Sequence, residues 1–244
     1  MSDSLVVNEI YLSLQGESTF AGLPCVFVRL TGCNLRCSYC DTAYAFTEGR
    51  RRPIDEIVAE VKRFAQPYDG RESAERLPVV ELTGGEPLLQ PAAAGLMRRL
   101  CDDGFTVLVE TSGAHDISKL DPRIRRIMDL KAPSSGESAR NRLENISDLR
   151  PTDEVKFVLG TREDYAWAKE MMADYGLERR CPLLFSWVSP LTTHQRDNSL
   201  KAVPNGQTPM NRKELVEAVI ADRLPVRFQL QMHKFIWPPD ERGV

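Results

Sequence analysis

Short apolar runs alternate along the chain with longer stretches of helical periodicity, and this alternation sets the expected architecture. Cys25 to Leu30 (Cys-Val-Phe-Val-Arg-Leu) is an apolar strand. Pro53 then opens a helix with Ile54, Ile57, Val58, Val61, Phe64 and Ala65 on one stripe. Val79 to Thr83 is a second strand, ending at Gly84-Gly85. Pro91 begins a helix whose Leu96, Leu100 and Cys101 face inward, and Gly104 marks its end. Further strands are expected at 106–111, 127–131, 154–159 and 183–188, with a helix from about Glu163 to Tyr175 between the last two. Asn211 and Glu214 make a capping-box pattern ahead of a helix with Leu215, Val219 and Ile220 on its apolar face. A final strand is expected around Val226 to Leu230.

Strands alternating with helices argue for an α/β fold with a mainly parallel sheet and helical crossovers. Six such strands are too few to close an eight-stranded barrel, so a partial, open barrel of (β/α)6 type is expected, with active-site loops at the carboxyl ends of the strands. The 244 residues suit one domain, with an N-terminal extension 1–24, a core of about 25–188 and a C-terminal helix and strand within 210–244. Ser189 to Pro209 is a polar, proline-containing loop long enough to be mobile or an insertion.

Charge narrows the partners. A formal net charge of −3 and a pI near 5.8 argue against a general nucleic-acid or membrane-surface binder. Neither nucleic acid nor membrane is therefore expected as a partner, and the Arg50-Arg51-Arg52 run is expected to be solvated surface. Residues 1–15 lack the basic and apolar blocks of a signal peptide, and no apolar run approaches membrane-spanning length. A cytoplasmic location, where thiols stay reduced, is the expectation.

Three of the six cysteines, Cys33, Cys37 and Cys40, fall within eight residues, so one loop can turn three thiolates toward a common point. A structural zinc would take a fourth Cys or His nearby. Cys25 lies in an apolar run, Cys101 and Cys181 are distant, and the first histidine is His115. A [4Fe–4S] cluster also takes thiolates, and three protein ligands leave one iron free for an exogenous molecule. A closed zinc or iron site completed by Cys101 or Cys181 competes with that reading. A disulfide is disfavoured, because three clustered cysteines cannot all pair locally.

Other polar positions fall where strands end. In Thr83-Gly84-Gly85-Glu86-Pro87 the glycines remove side chains where a ligand could approach the backbone, although a plain tight turn reads the same way. Glu110-Thr111-Ser112-Gly113 and Asp129-Leu130-Lys131 are expected to line the same mouth, or merely to cap their strands. Arg29 lies between Val28 and Leu30, which point the opposite way, so it is expected to face the barrel interior. With Gln15 and Glu17 it would suit a ligand carrying a carboxylate and an amidine-like N–H edge.

Cys33, Cys37 and Cys40, with Tyr39 before the last of them, resemble the signature of the radical S-adenosylmethionine (SAM) superfamily, and the Gly-Gly segment resembles its stretch that binds the SAM amino group. Ser13-Leu14-Gln15-Gly16-Glu17 with Arg29, Asp41-Thr42-Ala43-Tyr44 after Cys40, and the terminal Gln229 to Trp237 narrow the likeness. Over nearly its whole length the chain resembles the family of 7-carboxy-7-deazaguanine synthases.

That resemblance implies a lyase of queuosine biosynthesis and tRNA modification. It would convert 6-carboxy-5,6,7,8-tetrahydropterin to 7-carboxy-7-deazaguanine and ammonia, using a [4Fe–4S] cluster, SAM and Mg²⁺. An adenosyl radical would take hydrogen from C6 of the pterin and return it after ring contraction. By position, Cys33, Cys37 and Cys40 hold the cluster, and Tyr39, Gly85 and Lys131 lie near SAM. Leu14, Gln15, Gly16, Arg29, Thr83 and His233 contact substrate, and Thr42 ligates Mg²⁺. SAM ribose contacts would fall near Phe185 and Ser186. The resemblance also implies a homodimer and a reductant such as flavodoxin.

Simpler roles compete with these: Glu17 also reads as capping a turn, Thr42 as capping a helix and His233 as a satisfied sheet histidine. The segments Ser189 to Pro209 and Pro238 to Val244 match no part of the family pattern. A radical SAM activase of a glycyl radical enzyme shares the cysteine spacing and the Gly-Gly-Glu-Pro segment but acts on a protein. The Gln15-Gly16-Glu17 segment, Arg29 and the His233-Lys234 pair argue instead for a small-molecule pocket. A non-catalytic metal protein or an RNA-binding adaptor is disfavoured by the acidic balance and the second glycine motif.

Overall fold

The computed structural model describes residues 4–70, 75–238 and 241–244. Among these residues nine strands make one sheet: β1 (Ser4–Leu14), β2 (Pro24–Leu30), β3 (Arg50–Pro53), β4 (Val79–Gly84), β5 (Val107–Thr111), β6 (Arg125–Asp129), β7 (Glu154–Leu159), β8 (Leu183–Trp187) and β9 (Arg227–Gln229). Their spatial order is β3-β1-β2-β4-β5-β6-β7-β8-β9, so β3 and β9 are the edges of an open sheet. From β2 through β4 to β9 every neighbouring pair is parallel, whereas β1 runs antiparallel to both β2 and β3. The crossover and flanking helices are α1 (Ile54–Ala65), α2 (Ala93–Asp102), α3 (Arg162–Tyr175), α4 (Arg212–Ala221) and α5 (His233–Ile236). No helix among the described residues is long and apolar enough to cross a membrane.

The parallel strands β2 and β4 to β8 are largely buried, with helices covering their outward face. Val26, Val28, Leu30, Val80, Leu82, Val107 and Val109 pack outward against Ile57, Val61, Leu96 and Leu100 of α1 and α2. Val155, Phe157, Leu159, Leu183 and Phe185 do the same with Ala168, Met172, Leu215 and Val219 of α3 and α4. Inside the curve, Cys25, Phe27, Val79, Leu108 and Ile127 form a small apolar cluster. Two residues further along these strands the inward positions turn polar, at Arg29, Glu81, Glu110 and Asp129, and line a cavity. That change from apolar to polar along the inner face is what makes the curve of the sheet a site.

The expected helix over 53–65 and the Asn211–Glu214 capping box are present. The strand around Val226 joins the sheet as a seventh parallel member. Three features differ from expectation. Residues 4–14 are a sheet strand that pairs with β2 and β3, because Leu5 and Val7 bury against the α1 layer. Arg50-Arg51-Arg52, exposed at Arg50 and Arg51 as expected, is also the partner strand β3, and Arg52 binds Glu60 at 2.6 Å. Ile220 is 69% exposed, so the apolar face of α4 is Leu215 and Val219.

Asp153, just before β7, is fully buried and anchors the sheet from below. It accepts from Arg126 Nε at 3.0 Å and Nη2 at 2.5 Å, and from the Arg150 backbone N–H at 2.8 Å. Asp153→Ala strands a buried guanidinium, so it should cost about 3–5 kcal/mol. A fall in the urea midpoint checks this, and an unchanged midpoint would contradict it.

Candidate active site

The cysteine loop leaves β2 at the carboxyl end of the parallel strands, where Gly32 adopts φ +99° and starts the turn. Glu86 N–H donates to Gly32 O at 2.8 Å and Gly85 N–H to Leu30 O at 3.3 Å, so β4 holds the root of the loop. A Cβ on Gly85 would lie 2.3 Å from Gly32 O and 2.8 Å from Cys33 Cβ, and one on Gly84 would lie 2.2 Å from Leu30 O. The two glycines therefore let one backbone lie on another, a role separate from any ligand contact. Across the loop, Ser38 N–H donates to Ser135 O at 3.0 Å and Arg36 N–H to Glu137 Oε1 at 2.7 Å.

Cys33, Cys37 and Cys40 are free thiols opening on one cavity of ≈ 540 Å³. Burial pushes all three thiols up, Cys40 to about 12 with help from Asp41, so they stay protonated until a metal displaces the protons. Among the described residues no three His, Cys, Asp or Glu side chains converge on a single ion. A [4Fe–4S] cluster asks for a different geometry, with one thiolate for each of three irons. Cys101 and Cys181 are buried in the two helix-facing cores and do not line the cavity, which removes the closed-site reading.

Beside the thiols, Glu86 is completely buried and draws two strand ends together. It accepts from Thr111 Oγ1 at 2.9 Å, from Ser112 N–H at 2.7 Å and from Ser112 Oγ at 2.6 Å. Lys131 lies just beyond β6 and pairs with Asp129 at 2.7 Å. Burial opposes the Lys131 charge, but Asp129 outweighs it and holds the ammonium protonated. Tyr39 OH, Asp129 Oδ1 and Ser186 Oγ line the cavity, buried and without a hydrogen-bond partner. Buried polar atoms are ordinarily paired, so these three fit a polar ligand that supplies their partners. Phe185 points the other way and is fully buried against Phe157 and Tyr165, so only Ser186 of that pair faces the cavity.

The opposite end of the cavity is a charged floor. Because β1 is antiparallel, the turn Gln15–Thr19 lies at the amino ends of the parallel strands. Lys156 of β7 binds Glu17 at 3.1 Å and also Glu110. Burial works against its charge, but Glu110 and Glu17 keep Lys156 protonated. Gln15 is buried, its Nε2 donating to Glu81 and its Oε1 accepting from Glu17 N–H at 2.6 Å. Thr83 Oγ1 reaches Glu110 at 3.5 Å, and Leu14 and Gly16 line the same space.

Arg29 forms one wall: its Nε donates to Glu9 Oε1 at 2.7 Å and its Nη2 to Tyr11 OH at 2.9 Å. The Tyr44 ring lies 5.9 Å from the guanidinium, and Tyr44 OH donates to Glu9 at 2.9 Å. The C-terminal segment closes the other side. Met232 N–H donates to Gly16 O at 3.1 Å, and a Cβ on Gly16 would lie 3.1 Å from His233 Nδ1. His233 thus starts a short helix packed on Gly16 and is not a sheet residue. Lys234 binds Asp41 at 2.6 Å, which holds the Asp41 carboxyl far below its usual range in spite of burial. Thr42 donates to Asp41 Oδ1 at 2.9 Å and does not cap the turn that follows it.

The structure therefore brings Cys33, Cys37, Cys40, Tyr39, Thr42, Gly85 and Lys131 together with Leu14, Gln15, Gly16, Arg29, Thr83 and His233 around one cavity. Glu9, Glu81 and Lys156 were not singled out from sequence. Glu81 and Lys156 carried a usable signal, a charged residue at an inward position of an apolar strand. The two segments expected to fall outside the family pattern also reach the cavity. Ser189 and His194 to Asp197 line it, and Lys201 fastens that loop through Glu137 at 2.9 Å and Gly136 O at 2.7 Å. In the tail, Arg242 stacks 3.8 Å from the Tyr44 ring and binds Glu48 at 2.7 Å.

Comparison with known proteins follows the same lines. The radical SAM superfamily model matches residues 27–178. The chain is 41% identical to a 7-carboxy-7-deazaguanine synthase of Koribacter versatilis, over 98% of this chain and 99% of that one. It is 42% identical to a 7-carboxy-7-deazaguanine synthase of Chlorobaculum tepidum, over 98% and 97%. The fold resembles the crystal structure of QueE from Escherichia coli, with a TM-score of 0.69 at 21% identity, covering 94% of this chain and 95% of that one. With three thiols around an open cavity and this likeness along nearly the full length, the chain belongs to the radical SAM superfamily and, within it, to the 7-carboxy-7-deazaguanine synthase family.

Proposed function

We propose that this radical SAM enzyme converts 6-carboxy-5,6,7,8-tetrahydropterin to 7-carboxy-7-deazaguanine with release of ammonia, and that the cavity described above is where it does so. The observation that carries the reading is the arrangement of that cavity: three thiols at one end and a floor of Gln15, Glu17, Glu81, Glu110 and Lys156 at the other, with Arg29 in the wall. When bound, the cluster supplies the electron that cleaves SAM to a 5′-deoxyadenosyl radical.

The chain's own residues divide the remaining work. Cys33, Cys37 and Cys40 would hold the cluster, and Gly85, Lys131 and the unpaired Tyr39 hydroxyl would meet SAM. Arg29 would fork onto the substrate carboxylate, and Gln15, Glu17 and Glu110 of the floor would read the N–H and carbonyl edge of the pterin. Arg29 is already balanced by Glu9, and Lys234 by Asp41. An incoming carboxylate therefore needs another cation, and Mg²⁺ on the Thr42 hydroxyl would supply it with water and substrate oxygens completing its shell. The same proposal includes a one-electron reductant such as flavodoxin, a homodimer and a cytoplasmic location. A glycyl radical activase is not favoured, because the Gln15–Thr19 turn and the C-terminal residues enclose the cavity on the scale of a small molecule.

His233 gives this arrangement a pH dependence. Burial lowers its proton affinity, outweighing Glu17 and Asp41, so the imidazole packed on Gly16 is neutral at pH 7. The contribution of the neutral form is complete above the ordinary value of 6.5 and is lost as pH falls through the lower folded value. The pterin KM should rise on the acid side, and His233→Asn should flatten that limb. A KM indifferent to pH in this range would remove His233 from the substrate wall.

The test of the function is anaerobic. The reconstituted enzyme is given reductant, SAM, Mg²⁺ and 6-carboxytetrahydropterin, and products are followed by mass spectrometry. 7-Carboxy-7-deazaguanine is the expected product, reduced when Mg²⁺ is withheld. Uncoupled 5′-deoxyadenosine alone would overturn the assignment of substrate.

A further inference from the structure

Glu81 lies in the middle of β4, 1% exposed, on the inward side of the sheet. The charged and titratable groups that face it come from five neighbouring elements. Glu110 is on β5, Lys156 on β7 and Glu17 in the turn after β1, while Cys25 and Tyr11 approach from β2 and β1. The one ammonium among them, Lys156, is hydrogen-bonded to Glu17 and to Glu110. Glu81 has no salt-bridge partner among the described residues; its hydrogen bond is to a neutral group, the Gln15 carboxamide, whose Nε2 donates to Oε2. The other end of that carboxamide accepts from Glu17 N–H at 2.6 Å. Gln15 is therefore a bracket fixed at both ends, between the sheet and the turn.

What the bracket holds is the surface on which the C-terminal segment closes. Gly16 O accepts from Met232 N–H at 3.1 Å, and Glu17 Oε1 accepts from Gln231 Nε2 at 3.2 Å. We propose that Glu81 is a positioning residue for substrate recognition: through Gln15 it sets the turn Gln15–Glu17 against which His233 closes the pocket. The inference rests on the pterin reading above and extends it to a residue that need not touch the substrate.

The charge balance of the floor says in which form Glu81 does this. Three carboxyl groups share one ammonium, and that ammonium is spent on the other two. Burial first, and then the neighbouring Glu110, push the Glu81 carboxyl well above the usual carboxylate range. The neutral acid is therefore the form that burial and Glu110 favour at this position. Ionisation at higher pH would strengthen the Gln15 hydrogen bond but place a second uncompensated charge beside Glu110, and that repulsion, absent in Glu81→Gln, would disturb the floor.

The test uses the cluster-loaded enzyme with SAM and compares Glu81→Gln with Glu81→Ala. The amide keeps a neutral acceptor for Gln15 Nε2, so its pterin KM should stay within about threefold of the parent. The alanine leaves the bracket unpaired and should raise KM about tenfold or more, with a smaller effect on kcat. The parent KM should rise on the alkaline side, and Glu81→Gln should lack that limb. Two readouts do not depend on turnover. The infrared difference between parent and Glu81→Gln should contain the carbonyl band of a protonated carboxyl. Hydrogen exchange in residues 15–17 should be faster in Glu81→Ala than in Glu81→Gln.

An unchanged KM in Glu81→Ala, or equal damage from both substitutions, would overturn the proposal. A missing protonated band would overturn the neutral form. If the parent itself does not turn over the pterin, the functional reading fails, while the infrared band and the exchange rates still decide whether Glu81 holds the turn.

Discussion

Replacing Cys37 by alanine should give a nearly colourless protein that does not cleave SAM. The other two thiols cannot compensate: a [4Fe–4S] cluster needs a thiolate for each of three irons to hold it while the fourth stays open. Nor is a spare cysteine at hand, since Cys25, Cys101 and Cys181 are each buried in one of the three apolar clusters. Cys37 is also the most enclosed of the three loop cysteines, the only one classed with the buried core. Iron should fall from about four per chain to well under one. Iron analysis, visible absorption and 5′-deoxyadenosine formation measure the three consequences. SAM cleavage that persisted at the parental rate would remove Cys37 from the cluster.

Gly85→Ala should lose SAM cleavage by about a hundredfold although it adds a single methyl group. The added Cβ would sit 2.3 Å from Gly32 O and 2.8 Å from Cys33 Cβ. Neither neighbour is a flexible side-chain end that can swing away. Gly32 O also accepts the 2.8 Å hydrogen bond from Glu86 N–H, so moving it breaks the tie between β4 and the cysteine loop. Overpacking of this kind typically costs about 1–3 kcal/mol, and here the strain falls on the residue next to a cluster ligand. The matched control is Gly95→Ala in α2, where an added Cβ meets nothing within 4 Å and alanine is the better helix former. Gly95→Ala should retain cluster and activity. If Gly85→Ala also retained both, the glycine would owe its place to something other than this backbone contact.

Both predictions depend on how the chain comes together, and the chain discloses that unevenly. The parallel core was legible because each strand is a short apolar run set off by glycine, proline or a helical stripe, and local patterns of that kind follow from local packing. The edge strands were not. Ser4–Leu14 mixes polar and apolar residues and is fixed by its partners β2 and β3 and by the burial of Leu5 and Val7, and Arg50–Pro53 reads as a charged surface until β1 pairs with it. The expected apolar face of α4 failed at Ile220 for a related reason: periodicity names a stripe but not its width.

The site divides along the same line. Three cysteines within eight residues declared a thiolate metal site by themselves, because their ligand geometry is local to one loop, and family likeness named the cluster. Family likeness then carried Gln15, Arg29, Thr83 and His233 toward a substrate. Only the folded chain shows Arg29 neutralised by Glu9 and ringed by Tyr11 and Tyr44, and Lys234 bound to Asp41 beside the last cysteine. Glu17 and Lys156 stand 139 positions apart, and Gln15 and Glu81 stand 66 apart. Such pairs carry no spacing that a linear pattern can register. The sequence alone determined the kind of metal chemistry and the parallel core, since both arise from contacts between near neighbours. The tertiary structure alone decided the charges of the floor, because the protonation of Glu81 and Lys156 depends on burial and on which distant carboxylates the sheet brings within reach.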